Sequence, residues 1–324
     1  MRVLLNTYPV AFDCPGGGEI QLLRTRAALQ RADVDAILYD QWRPQFAETD
    51  VVHHFSVQGG SRHFCDYAKQ KHLPLVISPI IWLTEDNLEH FPLDEIRHLL
   101  TLCDLVLPNS EMEVAQLAEF FSLDPHKFVV TRNGIDHSFG RRISGNVFRE
   151  HFNMEQAFLL NVANIEQRKN QLRLIQAVRK LGVKLVLVGG IRDQAYFNQC
   201  MEAGAGFVRH LGYIDHDSDL LKSAYSACQA FVLPSILETP GLAALEAAAA
   251  GAKLVVTAEG STSEYFADMV RYVDPYSLED IRSAIEGSLA DSSDDSRLAE
   301  HVLSNFTWDH TAQQVIAAYK RVLN

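Results

Sequence analysis

The chain has 324 residues, of which 47% are apolar and 22% charged, a balance typical of globular proteins of one large or two medium domains. Acidic residues outnumber basic ones by 41 to 29, giving a formal charge of −12. This charge argues against nucleic-acid binding and limits any membrane contact to a weak, local, peripheral one. No apolar run is long enough to span a bilayer, and five cysteines without a CxxC pair favour a cytoplasmic location.

Short apolar runs alternate with amphipathic helical patterns along the chain. Continuous apolar strands between such helices indicate parallel sheets covered on both faces, which is an α/β architecture. The number of predicted strands is larger than one ordinary doubly wound sheet contains, and we therefore expect two Rossmann-like domains. The predicted strands are 2–8, 35–40, 50–56, 73–79, 105–110, 128–134, 158–164, 184–190, 206–212, 230–235 and 253–258.

A stretch rich in glycine, serine and charged residues, 134–152, interrupts this alternation, and we interpret it as the link between domains. The prediction is a first domain over 1–149, a second over 150–305, and a terminal amphipathic helix over 306–324. The acidic stretch DSSDDS (291–296) is interpreted as a solvated turn, with a metal site as the less favoured alternative.

Three consecutive glycines, Gly16, Gly17 and Gly18, follow the first predicted strand and open the next helix. Glycine lets a backbone approach a ligand closely, and a helix N-terminus attracts anions such as phosphate. The spacing is not that of the dinucleotide-binding fingerprint. A flexible connecting loop without a ligand is an equally weighted alternative.

Two cations, Arg168 and Lys169, follow the strand that opens the second predicted domain. Open α/β sheets bind ligands at the carboxyl ends of their strands, and both side chains suit phosphate oxygens. Taken alone, a solvated basic turn is the simpler interpretation.

The segment PSILETPGLAALEAAAAG (234–251) carries two glutamates around a turn and an alanine-rich helix. We predict Thr239 as the N-cap, Pro240 as the first helical residue, and a helix to Ala250 that Gly251 ends. The first N–H groups, around Gly241 and Leu242, would then hold diphosphate or sugar oxygens.

The two glutamates of this segment differ in their surroundings. Glu238 precedes the helix, beside whatever the helix end binds. Glu246 lies deeper, where a buried carboxylate needs a donor, and a ribose diol can supply two. The alternative is that Glu246 pairs with a basic side chain and Glu238 is exposed.

Taken together, these stretches resemble the retaining glycosyltransferases of family 4, which have the GT-B fold of two Rossmann-like domains with parallel sheets facing across a cleft. The strongest likeness is PSILETPGLAALEAAAAGAKLVV, which resembles that family's E-x7-E segment, followed by VANIEQRKNQLRLIQA, LVLPNSEMEVAQL, VVTRNGID and LGYIDHDSDLLKSAYSACQAFVLPS. The terminal FTWDHTAQQVIAAYKRVL resembles the helix that crosses back to the first domain.

The resemblance implies roles for particular residues. Lys169, with Arg168, would neutralise the diphosphate leaving group, and Glu238 would contact the hydroxyls of the donor sugar. The remaining donor-binding positions would be Gly16, Gly17, Gly18, Asn164, Tyr213, Ile214, Thr239, Pro240, Gly241, Leu242 and Glu246, with Tyr213 and Ile214 bordering the base and Glu246 binding the ribose. Asn164 stands where the family often has Arg, and the first domain lacks the family's usual His near ISPIIWL (77–83); His53 and His54 are candidates to replace it.

The implied reaction is transfer of a hexose, with retention and without a metal or other cofactor, from a UDP- or GDP-sugar to a sugar or lipid-linked glycan. Surface polysaccharide or glycolipid assembly, at the inner face of the membrane, is the implied context. The alternatives are a nucleotide-sugar epimerase or phosphorylase on the same fold, or a non-catalytic nucleotide-sugar-binding protein. A hydrolase pair is disfavoured, since Glu246 would lie along a helix away from the reacting carbon.

Overall fold

The computed structural model describes residues 1–13, 15–85, 87–292 and 296–324, and the chain divides into two compact units. The first unit contains Met1–Gly134 and Trp308–Asn324, and the second contains Ile135–Thr307. Residues 293–295 of the acidic stretch lie outside the described residues, so its interpretation as a solvated turn stays a prediction.

The first unit is built on a five-stranded sheet in which every paired strand is parallel. The strand order is β2-β1-β3-β4-β5, and the sheet interior is made of aliphatic residues such as Leu4, Val52 and Ile77. Its elements are β1 Arg2–Asn6, α1 Gly17–Arg31, β2 Asp35–Leu38, β3 Val51–Phe55, α2 Arg62–Gln70, β4 Leu75–Ser78, α3 Leu93–Leu102, β5 Leu105–Val106 and α4 Glu111–Phe121.

The second unit is built on a six-stranded parallel sheet in the order β11-β10-β9-β6-β7-β8. Its elements are α5 Asn146–Phe152, β6 Phe158–Val162, α6 Gln171–Val178, β7 Lys184–Val188, α7 Gln194–Ala203, β8 Val208–His210, α8 Asp219–Ala227, β9 Ala230–Leu233, α9 Leu242–Ala249, β10 Leu254–Thr257, α10 Thr262–Phe266, β11 Arg271–Val273, α11 Leu278–Ala290 and α12 Ser296–Asn305. The last helix, α13 Trp308–Leu323, packs on α1 of the first unit. The predicted α/β architecture with two parallel sheets is confirmed.

Two strand assignments differ from the prediction. The predicted strand 128–134 is wrong: Phe128 makes an isolated bridge to Val106, and the chain beyond it is loop. The edge strand β11, with only three residues, was missed because its apolar run is too short to give a periodic signal.

The division between the units lies at residues 134 and 135, earlier than the boundary expected near 150. The reason is that α5 packs on α8, which belongs to the second unit. The Phe148 N–H donates to Ser223 Oγ at 2.9 Å, and Arg149 Nη2 donates to the Ala227 carbonyl at 2.7 Å. Tertiary contacts of this kind cannot be predicted from the amino-acid composition of the segment.

Strand β3 carries two histidines, His53 and His54, that are fully buried. The ring nitrogens of His53 lie 2.7 Å from Tyr319 Oη and 2.9 Å from Ser78 Oγ, which joins α13 to the sheet. Burial, joined for His53 by the charge of His54, lowers the pKa of both histidines to about 3. Because neither ring is exposed, they belong to the core and do not offer a replacement for the family's ligand-binding His.

We predict that the first unit loses stability between pH 6.5 and pH 5. The unfolded histidines take up protons near pH 6.5 and the folded ones near pH 3, so the stabilisation is complete above pH 6.5 and is lost on acidification. At pH 5 the loss should be about 2 kcal/mol per histidine. All three tryptophans, at 42, 82 and 308, lie in this unit, so their fluorescence during urea unfolding reports it.

The measurement compares His53→Gln with the wild type at pH 7.5 and pH 5. The pH-dependent part of the free energy of unfolding should shrink by about 2 kcal/mol. His63→Gln, at an exposed position on α2, should behave as the wild type. An equal pH dependence in all three proteins would contradict the assignment.

Candidate functional site

The loop after β6 places Arg168 and Lys169 at the carboxyl edge of the second sheet. A 3₁₀ turn over Gln167–Lys169 ends at Asn170, whose φ of 59° is left-handed. The Asn170 side chain donates to the carbonyls of Pro234 at 2.9 Å and Pro275 at 2.8 Å. The loop is therefore fixed to the segments that follow β9 and β11.

Lys169 and Glu238 form a buried ion pair across two neighbouring strand ends. Lys169 Nζ lies 2.5 Å from Glu238 Oε1, and the two side chains are 15% and 7% exposed. Burial lowers the pKa of Lys169, which the charge of Glu238 opposes. Burial alone would raise the pKa of Glu238, but Lys169 and Arg168 outweigh it and hold that pKa below its ordinary value. Each charge therefore depends on the other, and the alternative that Glu238 is exposed is wrong.

Arg168 is half-exposed beside the same segment. Its guanidinium donates from Nη1 to the Leu237 carbonyl at 3.2 Å and from Nη2 to Glu166 Oε1 at 3.2 Å. The second oxygen of Glu166 accepts from Arg192 Nη1 at 3.1 Å, so one carboxylate links two guanidinium groups. The sequence indicated neither Glu166 nor Arg192, because ion pairs between different loops have no signature in spacing.

The segment between β9 and α9 is held in an extended conformation. The Glu238 N–H donates to the Glu259 carbonyl at 3.2 Å, and the Ser261 N–H donates to the Glu238 carbonyl at 3.0 Å. Gly260, between these two hydrogen-bonded residues, has a φ of 95° and lies close to the Glu238 backbone. A Cβ at this position would lie 2.1 Å from the Glu238 carbonyl oxygen. Only glycine fits at that position, so Gly260 helps to fix Glu238.

The helix that follows begins later than predicted. Its first residue is Leu242, Gly241 precedes it with a φ of 83°, and the Thr239–Pro240 peptide is cis. Thr239 as N-cap and Pro240 as first helical residue are therefore wrong, since the chain makes an additional turn before the helix. Gly251, with a φ of 85°, follows the helix end as expected. Gly241 and Leu242 do lie at the helix N-terminus.

Glu246 is buried on α9 and contacts two side chains from elsewhere in the unit. Its Oε1 lies 2.5 Å from His216 Nε2, and its Oε2 accepts from Tyr225 Oη at 2.9 Å. Burial, and then the charge of Glu246, raise the pKa of Tyr225 well above its ordinary value, so the phenol is a donor here. The alternative of a basic partner for Glu246 is thus realised in His216, and the ribose role stays a prediction.

The remaining predicted positions of this unit lie in loops at the same edge of the sheet. Tyr213, after β8, is 73% exposed, whereas Ile214 is buried in the core. Asn164 follows β6; its carbonyl accepts from Gln171 Nε2 at 2.9 Å. A Cβ added to Gly190 would lie 3.5 Å from Asn164 Oδ1, so this loop runs beside the one after β7.

The glycine loop of the first unit opens α1, as predicted. Gly16 is the N-cap, and its N–H donates to Glu19 Oε2 at 2.6 Å. Tyr8 Oη donates to the other oxygen of Glu19 at 3.1 Å. A Cβ on Gly17 would meet nothing within 4 Å, whereas one on Gly18 would contact Ile80 at 3.4 Å. The backbone at Gly17 is therefore open to a ligand.

The described residues were also compared with the requirements of metal sites and of membrane-spanning helices. No group of three or more His, Cys, Asp or Glu side chains lies close enough to hold a metal ion within 1–13, 15–85, 87–292 and 296–324. Over these same residues, no helix combines the length and apolar character needed to cross a bilayer.

Comparison with known proteins shows what the second unit resembles. Residues 145–302 match the model of the family described as glycosyl transferases group 1. The matched segment lies within the second unit. The O-antigen chain mannosyltransferase B of Escherichia coli is 28% identical over 255 residues, which are 72% of this chain and 66% of that protein. The chain spans about half the length of several further curated relatives.

Solved structures show the GT-B fold over the whole chain. A sucrose-phosphate synthase from Thermosynechococcus elongatus has a TM-score of 0.83 at 18% identity, covering 99% of each chain. HepE from Anabaena, solved in complex with UDP and glucose, has a TM-score of 0.80 at 17% identity, covering 99% of this chain and 100% of that one. At these identities the likeness establishes the fold, and the GT-B fold expected from the sequence is confirmed.

We predict that Lys169→Met destabilises the second unit by about 3 kcal/mol, because it leaves Glu238 buried without its partner. Adding Glu238→Gln should recover much of this loss, since the double variant buries no unpaired charge. Lys180→Met, the same substitution at an exposed position, should change stability by less than about 0.5 kcal/mol. Urea unfolding followed by far-UV circular dichroism measures all three, and additive losses in the double variant would contradict the coupling.

Proposed function

We propose that this chain is a retaining hexosyltransferase that moves a sugar from a nucleoside-diphosphate sugar to an acceptor hydroxyl. The observation that carries the proposal is the buried Lys169–Glu238 pair beside the N-terminus of α9. The match to the model of group 1 glycosyl transferases and the GT-B fold support it. The proposal covers both the activity of the whole protein and the identity of its substrates.

The site has the chemistry needed to bind a diphosphate. Lys169 has three N–H donors, of which one contacts Glu238, so others can reach phosphate oxygens. The first N–H groups of α9 have no acceptor inside the helix, and its dipole favours anions. We therefore place the diphosphate between Lys169 and Leu242. Arg168 is the second cation in this proposal, because the position where the family often has Arg is the uncharged Asn164. Glu238 then accepts from the donor sugar hydroxyls.

In the proposed reaction, the bond between the anomeric carbon and the diphosphate oxygen breaks, and its electron pair leaves with the nucleoside diphosphate. The acceptor oxygen forms the new bond on the same face of the sugar and loses its proton to the leaving group. Negative charge grows on the diphosphate in this step. Lys169, Arg168 and the helix N-terminus stabilise that charge, so the proposal requires no metal.

The remaining roles follow from position. We assign Glu246 to the ribose, the exposed Tyr213 ring and the backbone at Ile214 to the base, and the open backbone at Gly17 to an approaching substrate. One relative is named for the O-antigen chain and one structural neighbour for lipopolysaccharide biosynthesis. On this basis we propose a sugar or lipid-linked glycan as acceptor, used on the cytoplasmic side of the membrane.

A panel of nucleotides tests the donor class. We expect UDP or GDP to raise the melting temperature, since a ligand at a hundredfold excess over its dissociation constant stabilises the native state by about 2.7 kcal/mol. ADP, dTDP and NAD serve as comparisons in differential scanning fluorimetry. A response to NAD alone would overturn the transferase proposal.

Product analysis then separates the alternatives. With the matching sugar nucleotide and a panel of acceptors, NMR should show a new glycoside with the donor's anomeric configuration. Formation of an isomerised sugar nucleotide in the absence of acceptor would indicate an epimerase. A reaction that depends on inorganic phosphate would indicate a phosphorylase, and nucleotide binding without any product would indicate a non-catalytic protein. Each of these outcomes contradicts the proposal.

We also predict that Gly17→Ala lowers turnover by about tenfold while leaving the fold intact. The added Cβ meets nothing within 4 Å, and alanine favours the helix, so stability should stay equal or rise. A methyl group on the path of a bound substrate displaces it, and displacement by about 1 Å can cost a hundredfold in rate. Steady-state rates beside thermal melts measure both effects, and full activity would remove Gly17 from the site.

A further inference from the structure

Both oxygens of the Glu246 carboxylate are engaged by the protein itself. His216 contacts Oε1 at 2.5 Å and Tyr225 contacts Oε2 at 2.9 Å. The ring of Phe139 packs against both partners, with centroids 5.5 Å from His216 and 6.2 Å from Tyr225. We call these four residues the Glu246 cluster. The Glu246 side chain is 6% exposed, whereas that of His216 is 22% exposed, so the cluster reaches solvent on the His216 side.

The two contacts leave the carboxylate with unused acceptor capacity. An ionised carboxylate has about four acceptor positions on its two oxygens, and His216 and Tyr225 take one on each. Because one donor contacts each oxygen, the carboxylate is held in a defined rotation. One acceptor position then remains on each oxygen, a number sufficient for the two hydroxyls of a vicinal diol.

His216 also links two parts of the proposed donor site. It lies three residues after Tyr213 in the loop that follows β8, and its contact with Glu246 ties this loop to α9. The charged groups that contact its ring include Glu246 and Asp217, whose Oδ1 lies 3.4 Å from His216 Nδ1. Lys222 lies beside the cluster, with Nζ 3.1 Å from the Asp217 carbonyl and 5.6 Å from the Phe139 ring centre.

We propose that His216, assisted by Tyr225, is a positioning residue that orients Glu246 toward the 2′- and 3′-hydroxyls of the donor ribose and so makes the site selective for ribonucleotides over 2′-deoxyribonucleotides. This inference rests on the proposed function. It assigns ribose selectivity to a residue outside the two-glutamate segment. That residue lies in the loop after β8, for which the sequence analysis expected only a contact with the base.

The test measures binding of UDP and 2′-deoxy-UDP, or GDP and 2′-deoxy-GDP, whichever pair the wild type binds, by isothermal titration calorimetry. The wild type should prefer the ribonucleotide by about tenfold, as expected for one hydrogen bond to a charged group. In His216→Ala this preference should fall below about twofold, with most of the loss in affinity for the ribonucleotide. His216→Gln keeps an N–H donor near the same place and should restore much of the preference.

Two further variants keep the test decisive. Tyr225→Phe removes only the hydroxyl, preserves packing with Phe139, and should reduce the preference in the same direction even if His216→Ala folds poorly. His151→Ala, at an exposed position of the same unit, should change neither affinity. In turnover assays the His216 variants should raise KM for the donor while kcat changes by less than about threefold, because the ribose lies away from the reacting bond.

The outcomes separate this inference from the proposed function. Wild-type binding of UDP or GDP with an unchanged ribose preference in His216→Ala and Tyr225→Phe would overturn the role of His216 and leave the transferase proposal standing. Failure of the wild type to bind any nucleoside diphosphate would overturn both.

Discussion

The buried ion pair between Lys169 and Glu238 is the interaction on which the second unit's site depends. Removing two charges from water costs several kcal/mol for each, and only close mutual contact compensates for it. The two residues are 69 positions apart in the chain, so their contact fixes the loop after β6 against the segment after β9. A cation can thus stay at a mostly buried position, where its field on a bound anion is stronger than it would be in water.

The parallel sheet explains why these groups meet. Strands β6, β9 and β10 are neighbours and run in the same direction, so the loops at their carboxyl ends lie at one edge. Backbone contacts then fix the loops to one another: the Ile236 N–H donates to the Arg168 carbonyl at 2.8 Å, and Gly260 lets β10's loop approach Glu238. Because the loops are held by backbone atoms, the charged side chains need little further ordering to bind a ligand.

The second glutamate, Glu246, has a structural requirement that is independent of its proposed role in ribose binding. Glu246 needs donors whether or not a ligand is present, and His216 and Tyr225 provide them. The same two contacts fix the rotation of its carboxylate. The contacts that satisfy the buried carboxylate are therefore the same ones that would orient it in the proposed ribose site.

The sequence by itself determined the α/β class, the two parallel sheets and the segments that carry the charged residues, because apolar periodicity and glycine placement are local properties. Tertiary structure decided the rest. It made Lys169 the partner of Glu238 and His216 the partner of Glu246, moved the unit boundary to residues 134 and 135, and started α9 at Leu242 rather than Pro240. Each of these depends on contacts between segments distant in the chain or on the course of a turn, which composition and spacing do not encode.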